Sequence, residues 1–176
     1  NPYPGEERIL VPSLPGSRYE KSPAMSAPQV TQSVLGNLGN YDFILANFAN
    51  ADLVGHTGDF NATVRALEVL DTEVGKIVEK VLEADGIAII TADHGNAEEK
   101  RHRVSGEKST KHTANPVPFF LVGKKFKRKK PRSPEEISKL YQEVGGVLSD
   151  VAPTVLELLN LEQPPEMNGV SLMERL

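Results

Sequence analysis

The sequence predicts an α/β fold in which a mostly parallel β-sheet is flanked by helices. Nearly continuous apolar runs at residues 41–48, 87–91 and 118–122 are typical of strands that are covered on both faces. A long amphipathic segment separates the first run from the second, and a connection of that length favours parallel pairing over a hairpin. We therefore expect these runs to be central strands of one sheet.

The N-terminal region adds a short strand at residues 9–12 and then a helix that begins at Ser26. Ser26-Ala27-Pro28-Gln29 fits a capping box, in which the serine and glutamine side chains each cap a backbone N–H. Apolar side chains recur at helical spacing at Val30, Val34, Leu35 and Leu38, and Gly36 and Gly39 weaken the end of this helix.

The longest helix is predicted over about residues 61–83, and its apolar positions follow the helical period. They predict a core-facing stripe of Val64, Leu67, Leu70, Val74, Ile77, Val78, Val81 and Leu82. Further along the chain, residues 98–111 are charged and short of apolar side chains, which predicts an exposed loop or flap.

The C-terminal part begins with residues 124–132, which hold seven basic residues in nine positions. Ser133-Pro134-Glu135-Glu136 then fits a second capping box with proline at the first helical position. The apolar face of that helix consists of Ile137, Leu140, Tyr141 and Val144. A further helix, capped by Ser149 or Asp150, is expected to end at Pro164-Pro165.

Length and composition suit one domain, or one domain with an added lobe. The 176 residues are 39% hydrophobic and 25% charged, with no run near the ~20 apolar residues of a membrane span. No signal peptide is evident, so a cytoplasmic location is expected. The chain begins Asn1-Pro2 and soon enters a predicted strand, which indicates part of a longer protein.

Side chains that can bind metals concentrate at the ends of the predicted strands. Asp52 and His56 stand four residues apart, a spacing that places both on one face of a helical turn. Asp93 and His94 follow the second apolar run, and His112 precedes the third. Because the chain has no cysteine, carboxylates and imidazoles must hold any metal. The alternative for each residue alone is a capping aspartate or a hydrogen-bonded histidine.

Five such ligands divide naturally between two divalent metal ions. Mixed carboxylate and imidazole ligation suits Mn²⁺ or Zn²⁺ better than Mg²⁺ or Ca²⁺, so Mn²⁺ is the expected ion, with Zn²⁺, Co²⁺ and Mg²⁺ as alternatives. Two neighbouring ions suit transfer or hydrolysis of a phosphoryl group, because they stabilise both the attacking and the leaving oxygen. The fourth histidine, His102, lies among charged residues and is interpreted as solvated.

Three segments carry the five ligands in order along the chain. They are Asn47-Phe48-Ala49-Asn50-Ala51-Asp52-Leu53-Val54-Gly55-His56-Thr57-Gly58, Thr91-Ala92-Asp93-His94-Gly95-Asn96-Ala97-Glu98 and His112-Thr113-Ala114-Asn115-Pro116-Val117-Pro118. These segments resemble the metal motifs of the cofactor-independent phosphoglycerate mutases, members of the alkaline phosphatase superfamily. Residues 4–6, 8–13, 23–27 and 150–154 resemble further family segments, so the resemblance covers nearly the whole chain.

The resemblance implies an alkaline phosphatase-like three-layer fold, of which residues 1–176 form the C-terminal, metal-binding portion. It implies that Asp52, His56 and His112 hold one metal and that Asp93 and His94 contribute to the second. In the family an N-terminal aspartate and the nucleophilic serine complete the second site, and arginines of a transferase lobe grip the substrate. We expect those elements to lie outside these residues.

Lys21 is the expected counterpart of a family lysine that reaches the reacting phosphate. In the family that lysine directly precedes a Pro-Glu-Met-Ser-Ala run. Here Ser22 stands in that place before Pro23, and Lys21 lies one residue earlier. Either Lys21 takes the catalytic role, or the role is absent from this chain.

The resemblance implies interconversion of 2- and 3-phosphoglycerate through a phosphoserine intermediate, in glycolysis and gluconeogenesis. The intact enzyme is expected to be a monomer, and this chain alone to be inactive and prone to self-association. A related metal-dependent phosphomonoesterase or phosphopentomutase is the alternative enzyme. A nucleic-acid binder that uses residues 124–132 is the non-enzyme alternative. The rest of the chain holds 13 basic against 24 acidic residues, so we favour a solvated loop there and expect neither nucleic-acid nor membrane partners.

Overall fold

A computed structural model describes residues 2–13, 19–101 and 105–175. The chain divides into two compact units, Asn1–Lys125 and Phe126–Leu176. The helices and strands described in the first unit are α1 (Ala27–Asn37), α2 (Asn50–Gly55), α3 (Phe60–Glu83), β1 (Ile87–Thr91) and β2 (Phe119–Gly123). Those of the second unit are α4 (Pro134–Leu140) and α5 (Val151–Leu158). None of the described helices is long and apolar enough to cross a membrane.

The core of the first unit lies between α1, α2 and α3. Met25, Val54, Ala62 and Ala66 are buried together, and Tyr19, Ala49 and Leu53 pack against them. The predicted extent of α3 is confirmed to within one residue. Asp59 fixes its start, because the carboxylate accepts a hydrogen bond from Ala62 N at 2.9 Å.

The predicted core stripe of α3 is wrong in its first half. Val64 and Leu67 are exposed, whereas Ala62, Thr63 and Ala66 are buried. These small side chains allow α2 and α3 to approach closely, and the alanine side chains of α3 therefore face the core. Hydrophobic spacing alone favours the largest apolar side chains and therefore selects the wrong face.

The strands β1 and β2 pair antiparallel, which corrects the parallel arrangement expected for them. Ile87 lies opposite Gly123, and Thr91 lies opposite Phe119. A bridge between Gly95 and Thr113 continues the pairing beyond the strands. Parallel strands need a crossover, usually a helix, and no helix is described between β1 and β2. The chain therefore leaves along β1 and returns along β2.

Residues 41–48 and residues 9–12 do not form the predicted strands. In the first segment only Tyr41 is bridged, to Leu38, and Leu45 is 85% exposed. An apolar run becomes a strand only when a neighbour pairs with its backbone, and no described strand pairs with either segment. The two strands of the described sheet are also only partly buried, rather than covered on both faces.

The two predicted capping boxes have different outcomes. Ser26 stands at the N-cap of α1, but its hydroxyl donates to Pro12 O at 2.9 Å and makes no cap hydrogen bond. The second box is confirmed, since Glu136 N donates to Ser133 Oγ at 3.3 Å and Ser133 N donates to Glu136 Oε2 at 2.6 Å. Ser26 thus connects the start of α1 to the N-terminal segment. A capping-box pattern cannot predict this bond, because the acceptor lies 14 positions away.

Asp150 organises the second unit. It stands at the N-cap of α5 without capping it, because its carboxylate accepts hydrogen bonds from Val147 N and Val170 N, each at 2.9 Å. Thr154 Oγ1 donates to Asp150 O at 2.7 Å and accepts from Leu172 N at 2.9 Å. Asp150 and Thr154 thus hold the C-terminal segment against α5. The predicted position of the N-cap is confirmed at Asp150, but its side chain makes no cap hydrogen bond.

The helix α4 and the basic run that precedes it lie at the surface. Residues 124–132 are largely exposed, as predicted for a solvated loop. The apolar face predicted for the α4 region is also exposed at Ile137, Leu140, Tyr141 and Val144, so it does not contribute to a core within the second unit. The helix α5 ends at Leu158, before the predicted Pro164.

Candidate metal centre

Asp52, His56 and His112 each direct one ligand atom to a common point. These atoms all lie within 4.8 Å of one another. Asp52 Oδ1 is 3.3 Å from His56 Nε2 and 3.1 Å from His112 Nε2, and the two Nε2 atoms are 3.0 Å apart. All three side chains remain partly exposed, so the point where they converge can be reached from solvent.

Local helical geometry explains how Asp52 and His56 meet. Asp52 lies in the first turn of α2, and His56 is the residue at its C-terminal cap. Residues four positions apart lie on the same helix face, so the predicted placement of both side chains on one face is confirmed. His112 approaches from the connection between β1 and β2.

A backbone carbonyl sets the tautomer of His56. His56 Nδ1 lies 2.6 Å from Thr110 O, and a carbonyl oxygen can only accept, so Nδ1 carries the hydrogen. A neutral His56 therefore presents the lone pair of Nε2 to Asp52 and His112. Metal-binding histidines are commonly oriented by a hydrogen bond from the other ring nitrogen in this manner.

Asp52 is held in its ionised form by its surroundings. Partial burial raises the pKa of its carboxyl group, but a hydrogen bond from Asn96 and the positive charges that His56, His112 and His94 carry when protonated outweigh this effect. The net result is a pKa below the ordinary value for aspartate. Asp52 is therefore available as an anionic ligand at neutral pH.

Asp93 and His94 form a second pair beside the first group. The His94 ring stacks on the His112 ring, with centroids 3.7 Å apart and an interplanar angle of 20°. Asp93 Oδ1 is 3.6 Å from His94 Nε2, and the Asp93 side chain is 90% exposed. Among the described residues, these two do not belong to any cluster of three metal-binding side chains.

Lys21 is not brought to this group by any described contact. It ends a short 3₁₀ helix, Tyr19–Lys21, and is exposed. No hydrogen bond or ion pair from Lys21 to the five candidate ligands is present in the described part of the chain. Its catalytic role stays a prediction, and His102 lies outside the described residues.

Asn96 is a buried site residue whose role sequence reasoning missed. Its Nδ2 donates to Asp52 Oδ1 at 2.6 Å and lies 3.3 Å from Asp52 O. Asn96 lies three residues after Asp93 in the same motif, and this proximity is the feature of the sequence that could have identified it as a site residue. It occupies one acceptor position of the Asp52 oxygen that faces the histidines.

Glu98 connects the segment after β1 to the segment that carries His112. Its carboxylate accepts hydrogen bonds from the Thr113 hydroxyl, from Asn115 Nδ2 at 2.9 Å and from Asn96 N at 2.8 Å. Thr113 N also donates to Gly95 O at 2.8 Å. These bonds fix the residue next to His112, and so they set the approach of His112 toward Asp52.

The predicted flap is mostly exposed, with two buried residues. Lys100 and Ser109 are buried, and Arg101 forms an antiparallel bridge with Lys108. The exposed loop predicted for residues 98–111 is therefore confirmed at most described positions, and Lys100 is an exception because its amino group reaches Gly55 O at the end of α2.

Comparison with known proteins places this arrangement in a family. The family model described as the metalloenzyme superfamily matches residues 1–163. The chain belongs to the metalloenzyme superfamily.

Two relatives are named 2,3-bisphosphoglycerate-independent phosphoglycerate mutase. The protein of Pseudomonas fluorescens (strain Pf0-1) is 48% identical over 174 residues, which is 98% of this chain. The protein of Clostridioides difficile (strain 630) is 47% identical over 176 residues, which is 99% of this chain. In both comparisons the chain spans 32% of the length of the relative.

A solved structure of Leishmania mexicana phosphoglycerate mutase, determined at low cobalt concentration, is similar to this chain. The TM-score is 0.72 at 29% identity, and the match covers 91% of this chain and 30% of that protein. This similarity confirms the predicted alkaline phosphatase-like fold family. The parallel pairing predicted within it is not found between β1 and β2.

Proposed function

We propose that this chain is the metal-binding part of a phosphoglycerate mutase that works without 2,3-bisphosphoglycerate. The observation that carries the proposal is the convergence of Asp52, His56 and His112 within 4.8 Å. The names of the relatives support the mutase over the phosphomonoesterase and phosphopentomutase alternatives. The chain spans only 32% of the length of the first relative, so we propose, rather than infer from the match alone, that it belongs to a protein with mutase activity.

The residues present fit a divalent cation. The Nε2 atoms of His56 and His112, 3.0 Å apart, and the Asp52 oxygen beside them can each donate an electron pair to one cation. In the proposal Asp52, His56 and His112 hold one ion, and Asp93 and His94 contribute to a second. A borderline donor set of this kind suits Mn²⁺, with Zn²⁺, Co²⁺ and Mg²⁺ as alternatives.

When bound, such ions stabilise negative charge that develops on a transferring phosphoryl group. The proposed substrates are 2- and 3-phosphoglycerate, with phosphate carried between the two positions by a serine outside this chain, in glycolysis and gluconeogenesis. Within this chain, Thr110 O orients the His56 ring and Asn96 restrains the Asp52 carboxylate. Both act before any substrate arrives, so the ligand set is preorganised. A cytoplasmic location stays a prediction from the sequence.

Electron paramagnetic resonance tests the metal proposal, because the signal of free aqueous Mn²⁺ is lost when the ion binds to protein. We expect the wild-type chain to suppress this signal in a saturable titration, and Asp52→Asn to abolish the effect at the same concentrations. Asp71→Asn makes the same charge change at an exposed position of α3 and serves as the matched control. Equal signals with wild type and Asp52→Asn would overturn the proposal.

The substrate proposal needs a second measurement. Mn²⁺ broadens the ³¹P resonance of a phosphate ester that lies close to it. We expect the Mn²⁺-loaded wild-type chain, freed of unbound ion by gel filtration, to broaden 3-phosphoglycerate, and the identically treated Asp52→Asn chain to leave the resonance sharp. A phosphate-free analogue, glycerate, should not compete with it. Broadening that is equal in both proteins would count against a substrate site beside the metal.

A further inference from the structure

We infer that Lys100 is a positioning residue for the metal-binding carboxylate of Asp52 and that it acts through Asn96. The inference rests on the proposed function, because it concerns the ligand set of that metal site. Lys100 is only 6% exposed, although its segment is rich in charge. Its amino group donates hydrogen bonds to Asn96 Oδ1 and, at 3.1 Å, to Gly55 O.

The contacts of Asn96 depend on which end of its amide faces which partner. Lys100 has only donors, so the amide oxygen must face it. The amide NH₂ is then left to face Asp52 Oδ1, at 2.6 Å. The reversed amide would set donor against donor at Lys100 and acceptor against acceptor at Asp52. Lys100 therefore fixes the orientation in which Asn96 restrains Asp52.

Burying a lysine side chain costs free energy of folding, so a residue that only filled space here would not be expected to carry a charge. Among the described residues, Lys100 forms no ion pair, and burial lowers the pKa of its amino group by more than the charges of Glu98 and Asp52 raise it. An apolar side chain of similar length would fill the same space without desolvating a charge. The amino group of Lys100 is therefore best explained by its hydrogen bond to the Asn96 amide, whose orientation it sets.

Gly55 supplies an independent observation. A Cβ atom at Gly55 would lie 2.7 Å from Asn96 Oδ1 and 3.2 Å from Lys100 Nζ. The Asn96–Lys100 pair therefore packs directly on the backbone at the end of α2, one residue before His56. Gly55→Ala would displace this pair without changing any charge.

Charge and position predict opposite effects when the lysine is removed. An ammonium group near a metal site repels the cation, so a purely electrostatic role predicts tighter metal binding in Lys100→Met. A positioning role predicts weaker binding, because Asn96 and then Asp52 lose their fixed orientation. Loss of a group that orients a ligand typically weakens metal binding about 10- to 100-fold.

The test measures Mn²⁺ affinity by calorimetry for the wild-type chain, Lys100→Met and Gly55→Ala. Lys80→Met is the matched control, since it removes the same charge from an exposed helical position. We expect at least ~10-fold weaker binding in both site variants and no change in the control. Circular dichroism checks that each variant folds. Lys100→Met should fold well, because it replaces a buried charge with an apolar group.

The metal-free protein gives a second readout. In the wild type, the Nδ2 protons of Asn96 should exchange slowly with solvent by NMR, and Lys100→Met should make them exchange faster. Failure of the wild type to bind Mn²⁺ would overturn the proposed function and this inference together. Normal binding by the wild type, with unchanged or tighter binding in Lys100→Met, would overturn the inference alone.

Discussion

The Nε2 atoms of His56 and His112 lie 3.0 Å apart, although 56 positions separate the two residues. The segment that supplies His112 also supplies Thr110, whose carbonyl oxygen accepts the hydrogen bond from His56 Nδ1. One segment therefore provides the candidate ligand His112 and also orients the candidate ligand His56 at the C-terminal cap of α2. Any change that moves this segment should disturb both histidines together.

The first prediction concerns the number of metal sites. We expect the 176-residue chain to bind one Mn²⁺ tightly, because Asp52, His56 and His112 form a convergent set of three, whereas Asp93 and His94 are only two ligands. His112→Ala should weaken this binding by at least ~10-fold, and Asp93→Ala should leave it nearly unchanged. Calorimetry measures both. Two equally tight sites, or a tight site that survives His112→Ala, would contradict the assignment.

The second prediction concerns Glu98 and the approach of His112. Glu98→Gln replaces one acceptor oxygen with an NH₂ group, which must face either Asn96 N–H or the donors of Thr113 and Asn115. We expect a loss of about 1 kcal/mol in the free energy of unfolding, together with weaker Mn²⁺ binding. Urea unfolding and calorimetry provide the measurements.

Glu99→Gln is the matched control for this change. Glu99 accepts only a long contact of 3.4 Å from Asn115 Nδ2 among the described hydrogen bonds. It should therefore lose little stability and keep its affinity for Mn²⁺. Equal losses in both variants would show that the effect comes from net charge rather than from the hydrogen bonds of Glu98.

The third prediction concerns pH and the second unit. Backbone N–H groups of Val170 and then Val147 lower the pKa of Asp150 in the folded chain. Because the folded pKa is lower than the unfolded one, this stabilisation is fully present above the ordinary aspartate pKa of about 4. It is lost as the pH falls below that value and through the folded pKa.

Thermal unfolding from pH 7 to pH 3 tests this relationship. Asp150→Asn should be less stable than the wild type at pH 7, and the difference should shrink below about pH 4. The exposed Asp71→Asn controls for the loss of one negative charge. A difference between wild type and Asp150→Asn that stays constant with pH would show that the carboxylate itself is not the stabilising group.

The sequence predicted best those features that local contacts determine. The starts of α3 and α4 follow from Asp59 and Ser133, whose caps involve residues three positions away. The i,i+4 relation of Asp52 and His56 is local in the same sense. His112 could be associated with them only through the family resemblance, since its position depends on the pairing of distant segments.

Features that depend on partners elsewhere in the chain were not predictable from local patterns. Residues 41–48 have the composition of a strand, but pairing decides whether an apolar run becomes one. Lys100 lies in a charged segment and carries no local signal for burial, because its acceptors come from α2 and from Asn96. The side of α3 that faces α2 depends on how closely the two helices approach. Their close approach places Ala62 and Ala66, rather than Leu67, in the contact between them.

The fourth prediction is self-association of this chain. Phe43 and Leu45 are exposed in the first unit, and an exposed apolar segment tends to be covered by another molecule. Sedimentation velocity at increasing concentration should show association, and Leu45→Lys should reduce it. Leu161→Lys, an exposed leucine of the second unit, is the control and should have less effect. A wild-type chain that stays strictly monomeric at high concentration would count against this prediction.

The last prediction is that this chain alone does not interconvert phosphoglycerates, whatever metal is supplied. Phosphate transfer through a covalent intermediate needs an activated nucleophile held in line with the ester. Among the described hydrogen bonds, none joins a serine hydroxyl to Asp52, His56, His112 or the Asp93–His94 pair, and Ser26 is engaged with Pro12 O. Slow, unselective hydrolysis of phosphate esters could still occur, because a divalent metal lowers the pKa of bound water.

The assay measures isomerisation of 3-phosphoglycerate with Mn²⁺ present, beside hydrolysis of a generic aryl phosphate. We expect no isomerisation above background, and any hydrolysis should disappear in Asp52→Asn. The control is Asp71→Asn, which should hydrolyse the aryl phosphate at the wild-type rate. Mutase turnover by the pure chain that Asp93→Ala abolishes would overturn the prediction, because the nucleophile would then have to lie within these 176 residues.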